Sequence, residues 1–131
     1  MDVAVDPLDP SHFFVTSYGT GLYEFQDSLL IGHYTTDNSI LSSAAPDIPD
    51  RYTRLESAVY DNDNCLWTVV NGEVDTTLVC FLPNGVQRGV NLYSDPATRF
   101  FVHTSSSMVI DAIRPEKKWM VSCRNIPAVV Q

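Results

Sequence analysis

Basic residues are scarce in this chain. Eight Lys and Arg stand against sixteen Asp and Glu, a formal charge of -8, and no basic stripe offsets it locally, so a phosphate backbone would be repelled and nucleic acid is excluded as a partner. Long apolar runs are missing too: nothing approaches the roughly 18 to 20 residues that a membrane helix needs. The N-terminus, MDVAVDPLDPSHF, lacks the basic start and apolar run of a secretory signal, so no membrane or targeting segment is expected within this sequence. Cysteine is limited to Cys65, Cys80 and Cys123, with no CxxC pair. An odd number is no disulfide framework, though one bridge can form, and the thiols read first as small apolar strand residues. His12, His33 and His103 are scattered without a neighbouring Cys or His, so no metal ligand set and no cofactor are expected. Helical periodicity is absent, and eight prolines cut most windows short.

What is present is strand signal. HFFVTSY (12–18), GLYEF (21–25), SLLIGHY (28–34), ESAVY (56–60), LWTVV (66–70), TLVCF (77–81), GVQRGVNLY (85–93) and KWMVSC (118–123) are short and rich in β-branched or aromatic residues, and most are bounded by Gly, Pro, Asn, Asp or Ser. The chain is therefore expected to be all-β. Asn84-Gly85 predicts a hairpin joining strands 77–82 and 86–92 through a type I′ turn. Gln26-Asp27-Ser28 sits in the corresponding place between LYEF and LLIG, giving a three-strand meander over 12–34. Residues 35–54, rich in Ser, Thr, Pro and Asp, read as a long surface connection.

A repeat organises these strands. Aligning VAVDPLDPSHFFVTS, SAVYDNDNCLWTVV and VIDAIRPEKKWMVSC places Phe14, Trp67 and Trp119 in register, 53 and 52 residues apart. In each copy an apolar run (3–5, 58–60, 110–113) leads through a polar turn to a large aromatic. The first two copies continue into two more strands. Four strands in about 52 residues is the size of a propeller blade, which predicts antiparallel four-stranded blades over 1–54 and 55–106 and a partial third over 107–131. The aromatics are expected to fill the spaces between blades.

The pattern of strand, Asp and Asn turn, "LW" or "KW", strand, then GL-aromatic-x-F resembles the two-component-regulator propeller repeats of Bacteroidetes; DNDNCLW is similar to their D-x-x-G-N-L-W turn, with Cys65 following Asn64 as a departure from it. VAVDPLDPSHFFVTSYGTGLYEF and IRPEKKWMVSC are similar to propellers of the PorZ kind, surface components of type IX secretion. The resemblance implies a non-enzymatic interaction module of the periplasm or cell surface with a protein or glycan partner. The alternatives are the periplasmic sensing propeller of a hybrid two-component regulator, reading an oligosaccharide, and a propeller hydrolase or lyase. Two and a half blades fall short of the four to eight of a closed ring. A homo-oligomer, or a place within a larger propeller, is therefore expected to cover the open faces.

Candidate sites are few. Counted from Asp61, the run YDNDNCLW fails the helix-loop-helix calcium pattern, because Cys65, Leu66 and Gly72 fall at positions five, six and twelve. Its acidic letters read as a turn delivering Trp67. Ser105-Ser106-Ser107 lacks a Gly-x-Ser-x-Gly elbow and reads as a loop, and no carboxylate pair has glycosidase spacing. No catalytic residue is expected. Tyr18, Tyr34, Arg51, Tyr52, Arg54, Tyr93 and Arg99 are aromatic or Arg residues in or beside loops, the types favoured at interfaces. They are the expected partner-binding set.

Overall fold

In the computed structural model, residues 1–72, 74, 76–92, 105–122 and 127–130 are described. The chain is all-β and antiparallel. The first sheet is β1 (Val3–Asp6), β2 (Asp9–Thr16), β4 (Leu22–Gln26) and β5 (Leu29–Tyr34), side by side in that order. The second contains β6 (Thr53–Tyr60), β7 (Leu66–Val70), β8 (Leu78–Phe81) and β9 (Gln87–Val90), with the two-residue β3 (Tyr18–Gly19) added beside β6. The third is β10 (Ser105–Ile110), β11 (Lys118–Ser122) and β12 (Pro127–Val130). These are two four-stranded blades and part of a third, as in an incomplete propeller. The only helix among the described residues is the single turn α1 (Pro49–Tyr52).

The sheets stack because each carries apolar side chains on both faces. In β7, Leu66 and Val70 face the first sheet and join a cluster with Ala4, Phe14, Leu22, Leu55, Val79 and Phe81. Val69 and Leu78 face the third sheet and meet Met108 and Met120, with Trp67 packed alongside. Leu78–Phe81 is buried at every position, which is why TLVCF reads as continuous apolar sequence instead of alternating.

The ladders confirm the repeat register: Phe14 lies opposite Ala4, Trp67 opposite Val59, and Trp119 opposite Val109. Phe14 is buried between the first two sheets and Trp67 packs between the second and third, while Trp119 is 37% exposed on the outer face of the third. Val3 and Val5 occupy the opposite outer face, at 55% and 51% exposure. Their register equivalents in the second sheet, Ala58 and Tyr60, are the residues that pack on the first. The inner strands are also pinned to one another. The Asp2 carboxylate accepts hydrogen bonds from Ser57 Oγ (3.2 Å) and the Ala58 amide (3.1 Å), and Ser57 Oγ accepts from the Met108 amide (3.2 Å).

Four expectations need correction. Residues 35–54 do more than run over the surface: Leu41 is buried in the core, the Ile40 amide bonds Gln87 Oε1 at 2.9 Å, and β6 has already begun at Thr53. The connection leaves one sheet's outer strand and enters the next sheet's inner strand, so it crosses the seam between sheets and fills it. Ser105-Ser106-Ser107 opens strand β10 instead of forming a loop, because backbone pairing with β11 and the burial of Met108 outweigh the weak strand preference of serine. The apolar run of the third repeat therefore ends at Ile110, and Ile113 is 90% exposed in an enlarged turn. The β8–β9 hairpin forms between the expected strands, with Phe81 opposite Gln87, but its turn is not type I′, and the register is one residue away from the one such a turn sets. Gly85 alone takes a left-handed φ (85°), the Gly85 amide bonds Leu82 O and the Leu82 amide bonds Val86 O. Pro83 favours a type I turn followed by a glycine bulge.

Phe14→Ala would empty the seam between the first two sheets. The expected cost is about 3 to 5 kcal/mol in urea unfolding, whereas Leu30→Ala, at a position 54% exposed, should stay within about 0.5 kcal/mol.

Candidate functional site

Each sheet's first hairpin is built on an aspartate. Asp61 Oδ1 accepts the amides of Asp63 and Cys65 (both 2.9 Å), and its Oδ2 accepts the indole N–H of Trp67 at 2.8 Å. Asp111 repeats this: Oδ1 takes the amides of Ile113 and Arg114 (both 2.9 Å) and Oδ2 takes the Trp119 indole N–H at 3.2 Å. Backbone and indole donors together hold the Asp111 carboxyl at about 2. In the first sheet Asp6 Oδ1 accepts the Leu8 amide (2.9 Å), but Phe14 has no ring N–H to offer. The second oxygen instead meets His12 Nδ1 at 2.9 Å, from two residues earlier on the same strand. Within the acidic run both oxygens of Asp61 are turned onto the protein's own donors. Among the described residues no group of three or more His, Cys, Asp or Glu is placed to hold a metal ion.

His12 is the centre of a larger constellation. Its Nε2 lies 2.7 Å from Glu24 Oε1, and Glu24 Oε2 accepts the Tyr34 hydroxyl at 2.6 Å. Burial alone would lower the His12 pKa, but hydrogen bonds and charge from Asp6 and Glu24 outweigh it and raise it above the ordinary 6.5. Burial would raise Asp6, yet His12, the Leu8 amide and the Asn64 side chain bring it below 3.8. Tyr34 is pushed up to about 12 by burial and by its bond to Glu24. The constellation forms one side of a cavity of about 190 Å³ between the first two sheets, walled by Phe14, Tyr34, Tyr60 and Phe81 and reaching the turns at Asn64 and Gly85. Gly32 makes room for it, since a Cβ there would come within 2.9 Å of Glu24 Oε2.

The predicted partner-binding residues divide into separate groups. Arg54 lies over the rings of Tyr18 (4.7 Å) and Tyr52 (4.2 Å), with exposed Arg51 next to Tyr52 in sequence. This Tyr-Arg-Tyr stack exists because β3 crosses to pair with β6, Tyr18 opposite Arg54. It lies at the end of the sheets away from the aspartate turns. Tyr34 belongs to the cavity and not to the stack. Tyr93 and Arg99 lie outside the described residues, as do His103 and Cys123. Cys65, just before β7, and Cys80 of β8 are free thiols in contact, and burial raises both, Cys80 to about 12. Such thiols are poor nucleophiles. The Asp6–His12–Glu24–Tyr34 chain was missed in the sequence; its one signal is Glu24, a carboxylate within the apolar strand LYEF.

No protein-family model matches the chain, and no curated protein does. Among solved structures the chain is similar to PorZ, an essential bacterial surface component of the type IX secretion system of Porphyromonas gingivalis, with a TM-score of 0.74 and 25% identity. The match covers 91% of this chain and 15% of PorZ. The chain therefore spans a small part of that protein's length and shares its fold there.

Two outcomes are expected. Asp61→Ala should cost about 2 to 3 kcal/mol, since three donors lose a charged acceptor, and the Trp67 indole proton should move in NMR; the same change at Asp111, whose Trp119 partner is exposed, should cost less. The His12 contribution is full below pH 6.5 and lost as pH rises through the raised folded value, whereas that of Asp6 is present above pH 3.8 and lost as pH falls through its lowered one. Thermal stability should therefore peak between these limits, and His12→Gln should flatten the alkaline fall.

Proposed function

We propose that this chain is a non-enzymatic interaction module of the cell surface or periplasm, acting as part of a larger propeller in a type IX secretion apparatus. The observation that carries this reading is the similarity to PorZ over nearly the whole chain. The outer faces bearing Val3, Val5, Val109 and Trp119 support further blades, from the same or another chain, on both sides of the three sheets. The Tyr18–Arg54–Tyr52 stack supports recognition at the loop end, where propellers present their partners with side chains of the types enriched in binding hot spots.

A photo-crosslinking residue at Tyr18, on intact cells that use type IX secretion, should join the module to one discrete partner, a protein or a glycan-bearing species. The same probe at exposed Val86, at the opposite end, should not. Equal labelling from both positions, or cleavage of the captured partner, would count against the reading.

A further inference from the structure

The openings between successive sheets are register equivalents, and one of them already holds a cation. In the third sheet Lys118 lies opposite Ile110; the matching residue of the second is Leu66, opposite Tyr60. Lys118 is buried, and its ammonium stands 4.2 Å from the centroid of the Trp67 ring, in an opening that Asp61 and Glu116 also line. Between the first and second sheets the same place is lined by uncharged Leu66, beside a cavity of about 190 Å³, smaller than the opening of about 390 Å³ at Lys118.

The walls of that cavity suit a cation. Asp6 and Glu24 bring two carboxylates against the single imidazolium of His12, leaving one negative charge uncompensated even when His12 is protonated. The rings of Phe14, Tyr34, Tyr60 and Phe81 surround the space, and aromatic faces attract a desolvated cation. Asn64 Oδ1 is buried on the cavity lining without a hydrogen-bond partner, an acceptor waiting for a donor. Asn64 is held in place by a left-handed φ of 60°.

We propose that this cavity is a binding site for a primary ammonium group, taken from a lysine side chain or from a small free amine. The ammonium would give N–H bonds to Asn64 Oδ1 and the Asp6 and Glu24 carboxylates, with the rings around it, as Lys118 does over Trp67 one sheet further on. The site makes no use of the Tyr18–Arg54–Tyr52 stack and stands independently of the surface role.

The test is NMR of the protein titrated with n-butylammonium, with n-butanol as the neutral isostere and Nα-acetyl-lysine methylamide as the lysine probe. Butylammonium should shift the Asn64 side-chain amide signals saturably, at least about tenfold more tightly than butanol. Asn64→Gly, which tolerates the left-handed backbone, should weaken binding by about tenfold. Leu66→Lys should abolish it by setting an internal ammonium against the Asp6 and Glu24 carboxylates; if that variant does not fold, Asn64→Gly decides alone. Tighter binding of acetyl-lysine than of butylammonium identifies a lysine as the source, and its exclusion identifies a free amine. Equal shifts with butanol and butylammonium, no saturable shift up to about 50 mM, or full binding by Asn64→Gly would overturn the proposal.

Discussion

No sheet in this chain can bury its own side chains, and everything else follows from that. A four-stranded antiparallel sheet with apolar residues on both faces is stable only between two others. The second sheet has that situation: Leu66, Val70 and Val79 pack to one side, Val69, Leu78 and Trp67 to the other. The first and third have it on one side only, leaving Val3 and Val5, and Val109 and Trp119, facing outward. Register makes the two outer faces complementary, since the equivalents of Val3 and Val5 in the second sheet pack on the face carrying Phe14. The same geometry that joins the three sheets thus extends beyond them in both directions.

Stacking leaves a polar problem at the hairpin ends, and aspartate answers it three times. A turn between strands exposes amides that need acceptors, and the large ring following the turn needs its N–H satisfied once packed. One carboxylate does both at Asp61 and at Asp111. With phenylalanine in the aromatic register of the first sheet, the second oxygen of Asp6 is released to His12, and His12 in turn reaches Glu24. The ring without an N–H thus goes with a titratable chain in one seam, and the rings with an N–H go with aspartates whose second oxygen is already engaged.

The sequence made the architecture legible because strands, turns and aromatics recur at a spacing that only a blade of four strands fits. Its register held at Phe14, Trp67 and Trp119. What it concealed was long-range. Leu41 lies in a stretch whose composition reads as loop, and only the seam it crosses shows why it is buried. Ser105 to Ser107 form a strand through a partner that local propensity does not see. The acidic run at Asp61 reads as a turn, correctly but incompletely, because the second oxygen of Asp61 acts across the hairpin. Of the expected interface residues, Tyr18, Tyr52 and Arg54 came together through the β3–β6 pairing, while Tyr34 was drawn into the seam by Glu24. Nothing in the spacing of those residues distinguishes the two destinations.

The two polar features sit at different depths and so answer to different constraints. The Tyr18–Arg54–Tyr52 stack rests on the two-residue pairing of β3 with β6, at the end of the sheets away from the cavity. The His12 chain is part of the seam itself: its carboxylates face the rings that hold the first sheet on the second, and Gly32 is required to let Glu24 pass. A cation there would neutralise charge at a packed interface, so occupancy of the cavity and cohesion of the two sheets must be coupled. Lys118 illustrates the coupled state in covalent form, a buried ammonium over Trp67 at the seam between the second and third sheets. In the seam between the first and second sheets the register equivalent of Lys118 is Leu66, so a cation there would have to come from outside the seam's own side chains.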